Sequence, residues 1–294
     1  MLKSQAIVPA LKQNIARAVV GKDDAVELLL AALLCEGHIL IEDVPGVGKT
    51  TLCSALARSL SCSFKRIQFT PDITPSDITG FTMPSLQSGE LQYRPGAIMS
   101  QIVLADEINR TSPKTQSALL EVMEEHQVTV DGVTYPLPEA QMDRFFMRIS
   151  IGYPILEDEM DILDRYCGAV NPAKTLSAVC SSEDIIAMQQ EVKTLYCARE
   201  LRAYIASLCA ATRSSAYLSL GASTRAAIAL LHAAQASALL CGRDYVIPED
   251  VQRMAPSVLC HRFVLSADAR MRGMSAEQVL SDLLSSVRVP VRMP

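Results

Sequence analysis

The stretch DVPGVGKTT, residues 43–51, constrains the fold of this chain more than any other feature. It follows a short apolar segment, 38–42, that predicts a β-strand, and it precedes a helix with Leu52, Leu56 and Leu60 on one stripe. Glycines between a strand and a helix let backbone N–H groups turn inward around a phosphate, which the helix N-terminus also favours. The stretch therefore predicts a phosphate loop of the Walker A type on an α/β sheet.

The side chains of this loop have separate predicted roles. Lys49 is expected to reach the β- and γ-phosphates of a nucleotide, and the Thr50 hydroxyl is expected to bind Mg²⁺. One residue departs from the usual pattern, because Asp43 stands where the loop normally has its first glycine. An inward carboxylate would repel phosphate, so Asp43 is expected to point away from the nucleotide. The residues expected to surround the phosphates are Pro45, Gly46, Val47, Gly48, Lys49, Thr50 and Thr51.

A second motif, IVLADE at 102–107, predicts the other half of the site. An apolar strand that ends in Asp-Glu is common as a purely structural feature, but beside a phosphate loop it indicates a Walker B strand. Ligands bind at the carboxyl ends of strands in open α/β sheets, where these two acids would lie. Asp106 is expected to hold Mg²⁺, and Glu107 to polarise an attacking water as general base. Water as the acceptor favours an ATPase over a small-molecule kinase.

Composition narrows the class of protein further. The 294-residue chain carries a net charge of −5, which gives no electrostatic reason to expect nucleic-acid binding. Its longest apolar run, 28–35, is far shorter than the ~20 residues of a membrane span, and no signal peptide is predicted. Nine cysteines without a C-x-x-C motif suit free thiols in a reducing cytoplasm, where the protein is expected to reside.

Strand and helix patterns alternate up to about residue 153, and helical patterns follow. The first part therefore predicts an α/β domain at 1–153, and the second predicts a helical domain at 154–294. Pro248 is expected in the first turn of a helix, and Ser275 with Gln278 predicts a capping box. The predicted strands are 38–42, 64–69, 101–105 and 145–151, and a stretch rich in Pro, Gly, Thr and Ser at 70–98 predicts a functional insertion.

At this point the sequence resembles the MoxR family of AAA+ ATPases over nearly its whole length. The resemblance implies an α/β fold, namely an AAA+ P-loop domain with a parallel sheet covered by helices on both faces, followed by an all-α lid. The segments that carry it are EDVPGVGKTTL (42–52), RIQFTPDITPSDITG (66–80), YRPGAI (93–98), IVLADEINRTSPKTQSALLEVMEEHQVTVDG (102–132), YPLPEAQMDRF (135–145), LGASTRAAIALLHAAQA (220–236) and GRDYVIPEDV (242–251).

The resemblance also implies roles for particular residues. Val20 and Gly21 are similar to the adenine contacts of the family. Arg144 resembles the arginine finger that reaches a neighbouring subunit's γ-phosphate, and Arg225 resembles sensor 2 on the lid. Arg110 is expected either to contact that neighbour or to fix the Walker B loop. The implied insertion in helix 2 covers 70–98, and the implied hairpin before the sensor-1 strand covers 126–135.

The partners implied by the resemblance are further copies of the chain and a client protein. The family suggests a ring, in the first place a homo-hexamer, that uses ATP and Mg²⁺ to remodel or mature other proteins in a chaperone-like way. Clients with von Willebrand factor A domains are expected. Two alternatives stay open: an ATP-binding scaffold or switch with little hydrolysis, and a DNA-dependent motor, which the acidic composition disfavours.

The scaffold alternative arises from residues 128–145, VTVDGVTYPLPEAQMDRF. In the family the hairpin is followed by the sensor-1 strand, which ends in a polar residue that helps position the lytic water. Here one TYPLP pentapeptide leads from the hairpin directly into EAQMDRF, for which a short helix is predicted. The missing strand would lie between strands 38–42 and 101–105. Three interpretations are open: residues are absent from this sequence, the two flanking strands pair with each other, or the chain is a degraded paralogue.

Overall fold

A computed structural model describes the protein over most of its length. For the hairpin and some adjoining residues (120, 121, 124, 125, 127–130, 133–136, 142–144 and 174) it describes the backbone only. The residues that the structure describes are 3–44, 46–84, 90–125, 127–130, 133–136, 142–167 and 172–290.

Helices and strands alternate in the N-terminal half, and helices dominate the C-terminal half. The N-terminal elements are α1 (Ser4–Ala16), α2 (Asp23–Leu34), β1 (Gly37–Ile41), α3 (Lys49–Ser59), β2 (Phe64–Gln68), α4 (Pro75–Thr79), β3 (Gly80–Pro84), β4 (Leu91–Pro95), β5 (Ile102–Asp106), α5 (Pro113–Glu125), β6 (Gln127–Val130), β7 (Val133–Pro136) and β8 (Met142–Ile149). The C-terminal elements are α6 (Leu156–Tyr166), α7 (Ser182–Thr194), α8 (Arg199–Ser214), β9 (Leu218–Leu220), α9 (Thr224–Leu240), α10 (Pro248–Leu259), β10 (Val264–Leu265), α11 (Ala267–Met271) and α12 (Ala276–Ser286).

The strands that carry the two predicted nucleotide motifs lie in two separate parallel ladders. Strand β1 pairs with β8, and strand β2 pairs with β5 in unbroken register from Phe64 opposite Ile102 to Gln68 opposite Asp106. Parallel strands need crossover connections, and the connection from β2 to β5 contains α4, β3 and β4. The predicted α/β class, parallel strands with helices followed by a helical region, is confirmed.

The two ladders do not join into one sheet within the described residues. Strand β1 has no described hydrogen bonds to β5, so the interpretation in which these two strands close up and pair is wrong for this part of the chain. Every residue of β1 and of β5 is half-buried, whereas full burial was expected for a parallel strand covered on both faces. An open edge on each strand explains the difference.

The hydrophobic core is divided in the same way as the sheet. A large cluster includes residues of α1, α2, α3 and β8, such as Leu56 and Met147, together with helices of the C-terminal half. A smaller cluster lies around Ile67, Phe69 and Val122, which belong to β2, the loop after it and α5. The described apolar interior therefore consists of two clusters that touch, since Ile102 of β5 packs against the large one and Phe145 of β8 packs against the smaller one.

Local sequence signals account for the helix ends in the C-terminal half. Pro248 opens α10, where its missing N–H is not needed, as predicted. Ser275 and Gln278 form the predicted capping box before α12: the Ser275 N–H donates to Gln278 Oε1 (2.8 Å), and the Gln278 N–H donates to Ser275 Oγ (3.1 Å). These contacts satisfy N–H groups that a helix start leaves unpaired.

The predicted helix over EAQMDRF is wrong for the residues that the structure describes. Residues 137–141 lie outside them, and 142–145 belong to strand β8. The strand bulges near its start, because Gly37 lies opposite Met142 while Ile39 lies opposite Met147. Phe145 has a positive φ of 30° within this bulge. Pairing with β1 decides the conformation here, since tertiary context overrides a local helical pattern.

The predicted insertion at 70–98 and the predicted hairpin at 126–135 both contain described secondary structure. Within 70–98 the described residues form the short helix α4 and an antiparallel pair of strands, β3 and β4, in register from Gly80 opposite Pro95 to Pro84 opposite Leu91. Strands β6 and β7 pair antiparallel, from Gln127 opposite Pro136 to Val130 opposite Val133, so the hairpin predicted near 126–135 is confirmed in its strands. Its turn, 131–132, lies outside the described residues.

Candidate nucleotide-binding site

The glycines of the phosphate loop have the backbone that the motif requires. Gly46 has φ 89° and Gly48 has φ 92°, a left-handed region that side chains with a Cβ rarely adopt. No atom lies within 4 Å of the place where a Cβ would be at either glycine, so this side of the loop is open. Gly48 is also the N-cap of α3. The loop therefore offers an open cradle at a helix N-terminus, which fits a phosphate group.

The three residues after Gly48 open α3. Lys49 is half-buried and Thr50 is exposed, while Val47 is buried among the apolar residues of the large cluster. Lys49 Nζ donates a hydrogen bond to the Asp43 carbonyl oxygen at 2.7 Å, which closes the loop across its base. Pro45 lies outside the described residues.

The Asp43 carboxylate points away from the cradle, as expected. Its Oδ2 accepts hydrogen bonds from the backbone N–H groups of Ile151 (2.5 Å) and Gly152 (2.7 Å) and from Ser150 Oγ (3.1 Å). Its Oδ1 accepts from the Val44 N–H at 3.0 Å. Partial desolvation alone would raise the pKa of Asp43, but these donors favour the charged form and hold the pKa below its usual value.

The Walker B acids lie at the end of β5, and Asp106 is near Cys53 in the second turn of α3. Asp106 is the last residue of the strand, and Glu107 follows it with a positive φ of 57°. Burial raises the pKa of the Cys53 thiol in α3 to about 11, and the nearby charge of Asp106 contributes to that rise. The phosphate loop leads directly into α3, and Asp106 at the end of β5 lies near that same helix.

Two residues of β2 that the motif analysis missed contact these acids. Arg66 Nη2 donates to Asp106 Oδ2 at 2.6 Å and to Gln68 Oε1 at 2.9 Å. Gln68 Nε2 donates to Glu107 Oε2 at 2.8 Å. Their spacing of two along a strand was a signal that both side chains share one face, but sequence alone does not say which strand lies beside β5. The predicted metal ligand Asp106 and the predicted general base Glu107 thus each have a partner on the neighbouring strand.

Arg110 contacts the general-base candidate from the other direction. Its Nε lies 3.2 Å from Glu107 Oε2, across the turn of 3₁₀ helix that follows β5. Of the two roles considered for Arg110, the described contact is the one that fixes the Walker B loop. Both side chains are substantially exposed, so this ion pair orients Glu107 more than it stabilises the fold.

The oxygen donors of the site suit a magnesium ion. Mg²⁺ binds hydroxyl, carboxylate and phosphate oxygens and keeps several waters. The Thr50 hydroxyl at the start of α3 and the Asp106 carboxylate at the end of β5 supply such oxygens from the two halves of the site. These residues fit a magnesium ion bound together with nucleotide phosphates.

The predicted adenine contacts lie where α1 gives way to α2. Val20 is buried, and Gly21 has φ 65°. A Cβ on Gly21 would lie 1.8 Å from Asp158 Oδ2 in α6, so a larger residue would have to displace that side chain and adopt a left-handed backbone. The neighbouring Lys22 Nζ donates to the Tyr153 carbonyl oxygen at 2.9 Å. The candidate adenine region is therefore packed against the segment that leads into α6.

The two predicted arginines have different surroundings. Arg225 is an exposed residue in the first turn of α9, consistent with a position on the helical region. Arg144 lies in strand β8 and not at a helix end as expected, and its side chain lies outside the described part of the chain.

The next residue, Phe145, accepts hydrogen bonds through its carbonyl oxygen from Arg262 Nη2 (3.3 Å), and His261 Nε2 lies 3.1 Å from the same oxygen.

An α/β domain with a phosphate loop, an Asp-Glu strand end and a helical domain after it defines the AAA+ class of ATPases. Comparison with known proteins agrees. Residues 38–135 match the model of the ATPase family associated with various cellular activities (AAA), and residues 210–283 match the AAA lid domain.

Full-length relatives define the family more closely. The chain is 38% identical to Chaperone MoxR1 of Mycobacterium tuberculosis over 307 residues, covering 94% of this chain and 81% of that protein. It is 48% identical to the uncharacterized protein YeaC of Bacillus subtilis, covering 95% and 94%. The crystal structure of a Cytophaga hutchinsonii protein classed as an ATPase matches with a TM-score of 0.89, 34% identity and coverage of 98% and 97%. The chain belongs to the MoxR family of AAA+ ATPases.

The Bacillus alignment contains more positions than this chain fills. The alignment is 301 positions long, but it includes only 95% of the 294 residues of this chain. At roughly twenty positions, therefore, the relative has a residue and this chain has a gap. The AAA family match ends at residue 135, next to the place where the sequence analysis predicts that the sensor-1 strand is missing. None of the described helices is both long enough and apolar enough to cross a membrane.

Proposed function

We propose that this chain binds ATP with Mg²⁺ and hydrolyses it to remodel or mature partner proteins. The observation that carries the proposal is an open glycine cradle at the start of α3 together with the Asp106-Glu107 pair at the end of β5, close to the same helix. In this scheme residues 1–153 form the ATPase core and 154–294 form the lid. The relative named Chaperone MoxR1 supports a chaperone-like role.

The proposed chemistry divides among a few residues. Lys49 binds the β- and γ-phosphates, Thr50 and Asp106 hold Mg²⁺, and Glu107 activates the attacking water. Arg144 acts on the nucleotide of a neighbouring copy, and Arg225 acts from the lid. The backbone of residues 45–51 surrounds the phosphates, and Val20 with Gly21 contacts adenine.

The proposed assembly is a cytoplasmic homo-hexameric ring with a protein client. A site completed by Arg144 of a neighbour makes hydrolysis depend on protein concentration, since isolated copies lack that charge. Clients with von Willebrand factor A domains are proposed from the family resemblance.

Calorimetry and phosphate release together test the proposal. Wild type is expected to bind ATP with Mg²⁺, and specific phosphate release is expected to rise with protein concentration. Lys49→Ala should lose ATP binding, whereas Glu107→Gln should keep binding while release falls by about a hundredfold or more, the usual contribution of a general base. The neutral change Glu157→Gln, on exposed helix α6, is the control and should behave as wild type. Flat titrations of folded wild type, or normal turnover by Glu107→Gln, would contradict the assignment.

A second candidate function is an ATP-dependent scaffold or switch without meaningful turnover. Its support is the open edge of β1 and β5, where a water-positioning strand is expected in the family. ATP binding and assembly without phosphate release above background, at concentrations that support a ring, would favour this candidate over the ATPase.

A further inference from the structure

Residues 150–154 connect the last strand of the α/β region to helix α6. Ile151 is buried, Gly152 has a left-handed backbone with φ 67°, and Tyr153 is 70% exposed. A buried anchor followed by a residue with unusual backbone freedom is suited to act as a hinge. The position of this connection determines how the helical region meets the nucleotide site.

The Asp43 side chain joins the phosphate loop directly to this connection. One carboxylate accepts four described hydrogen bonds, and the donors come from two segments. The Val44 N–H belongs to the phosphate loop, while the Ile151 and Gly152 N–H groups belong to the connection. Bonds to an ionised acceptor are roughly twice as strong as neutral ones, so a neutral side chain of the same shape is a weaker link.

The backbone of the same residue is held by the lysine expected to bind phosphate. Lys49 Nζ lies 2.7 Å from the Asp43 carbonyl oxygen. A lysine ammonium that turns toward bound phosphates has to weaken or give up this contact, because the phosphate oxygens compete for its protons. Nucleotide binding would therefore shift the peptide group of Asp43, and the side chain of this same residue holds the connection.

A neighbouring contact holds the connection from the other side of the site. Lys22 Nζ donates to the Tyr153 carbonyl oxygen at 2.9 Å, one residue after the candidate adenine contact Gly21. The connection is thus tied to the predicted phosphate end of the site through Asp43 and to the predicted adenine end through Lys22.

We propose that Asp43 is a positioning residue that couples the phosphate loop to the connection between the core and the helical region. This inference rests on the proposed nucleotide binding. A phosphate draws Lys49 away from the Asp43 carbonyl, the Asp43 peptide shifts, and the carboxylate carries that shift to Ile151 and Gly152. Asp43, which stands at the position of the loop's usual first glycine, thus transmits the binding of phosphate in the loop to the connection.

Hydrogen exchange at the Ile151 and Gly152 amides tests the coupling, because both donate to Asp43. Without nucleotide, Asp43→Asn is expected to speed exchange of these two amides by about tenfold, the effect of losing a charged acceptor. In wild type, Mg²⁺ with a slowly hydrolysed ATP analogue is expected to change their exchange by threefold or more. In Asp43→Asn the analogue should still bind, as calorimetry would show, but exchange of these amides should no longer respond.

Glu42→Gln is the matched control, since it removes a carboxylate from the adjacent residue. The Glu42 side chain faces Arg148 (3.4 Å) and not the connection, so this variant should keep the wild-type response. Asp43→Gly, which restores the glycine of the usual motif, is the second variant if the asparagine variant does not fold, and it should also lose the response.

The outcomes separate this proposal from the function on which it rests. Flat calorimetry for folded wild type overturns nucleotide binding and the coupling with it. Binding without any change at Ile151 and Gly152 overturns the coupling alone. A wild-type response in the Asp43 variants, or the same loss in Glu42→Gln, also overturns the assignment to Asp43.

Discussion

At the scale of single residues, the ion pair between Arg66 and Asp106 has a direct bearing on metal binding. A guanidinium nitrogen lies 2.6 Å from Asp106 Oδ2, on the carboxylate proposed to hold Mg²⁺. A magnesium ion and this arginine both draw on the same negative charge, so each weakens the other's attraction to it. We therefore expect Arg66 to raise the Mg²⁺ concentration that the proposed site needs.

Replacing Arg66 is expected to make magnesium bind more readily. The pair is partly exposed, with Arg66 at 45% and Asp106 at 30%, so its free energy is expected to be small. At ~0.2–1 kcal/mol for such a pair, Arg66→Ala should lower the Mg²⁺ concentration at half-saturation by up to about fivefold. Calorimetry of ATP binding at a series of Mg²⁺ concentrations measures this. Lys65→Ala, one residue earlier in the same strand, is the control, and an unchanged or higher Mg²⁺ requirement for Arg66→Ala would contradict the prediction.

At the scale of elements, the separation of the two ladders is the most consequential feature. Strands β1 and β5 each have a described partner on one side only. In the family the sensor-1 strand is expected between them, and the Bacillus relative has roughly twenty aligned positions without a counterpart here. Open backbone edges lower stability, because each buried unpaired group costs ~1–3 kcal/mol.

Restoring the missing segment is expected to stabilise the protein and raise its turnover. The change is to insert, between Leu137 and Pro138, the sensor-1 segment of a MoxR-family relative. A new strand would pair with both β1 and β5, and with several hydrogen bonds at ~0.5–1.5 kcal/mol each the melting temperature should rise by several degrees. Thermal unfolding and phosphate release measure the two effects.

The control for that insertion is a Gly-Ser segment of equal length. A flexible segment cannot supply a β-strand with apolar side chains, so it should leave stability unchanged or lower it. Equal behaviour of the two insertions would show that the gap between the ladders is not the cause of any impairment.

At the scale of the whole molecule, the helical region is fastened to strand β8 next to the predicted arginine finger. His261 Nε2 and Arg262 Nη2 lie 3.1 and 3.3 Å from the Phe145 carbonyl oxygen, and Arg148 Nη2 lies 2.8 Å from Glu277 Oε1 in α12. Burial, reinforced by the positive charge of Arg262, lowers the pKa of His261 from 6.5 to about 4. The imidazole is therefore neutral in the folded protein near neutral pH.

This histidine is expected to make the protein less stable in mild acid. Because its folded pKa is lowered, the unfolded chain takes up the proton first as pH falls below 6.5. The contribution to stability is complete above pH 6.5 and is lost progressively toward pH 4, where the folded protein also binds the proton.

His261→Gln tests this origin, since glutamine keeps a hydrogen-bond donor for the Phe145 carbonyl but does not titrate. The free energy of unfolding from urea titrations should fall less between pH 6.5 and pH 4 in the variant than in wild type. His232→Gln, on α9, is the control and should retain the wild-type slope. An equal slope in His261→Gln and wild type would exclude His261 as a source of the acid sensitivity.

The sequence was sufficient for features that depend on local chemistry. Glycines at 46 and 48, the direction of the Asp43 carboxylate, the strand ahead of Asp106 and the cap at Ser275 all follow from backbone requirements or short-range patterns. The strand at 142–145 could not be predicted in this way, because it depends on pairing with β1. The contacts of Arg66 with Asp106 and of His261 with Phe145 join segments 40 and 116 residues apart, and no local pattern specifies them.

The division of the core has a consequence for how bound nucleotide would affect the rigidity of the protein. Lys49 and Thr50 stand on the larger cluster, whereas Asp106 and Glu107 stand on the smaller one. A triphosphate with its metal would therefore contact both clusters and add to the packing that already joins them, such as that of Ile102 on the larger cluster and Phe145 on the smaller one. Bound nucleotide would then make the two clusters more rigid relative to each other, and this added rigidity would be lost when the nucleotide leaves.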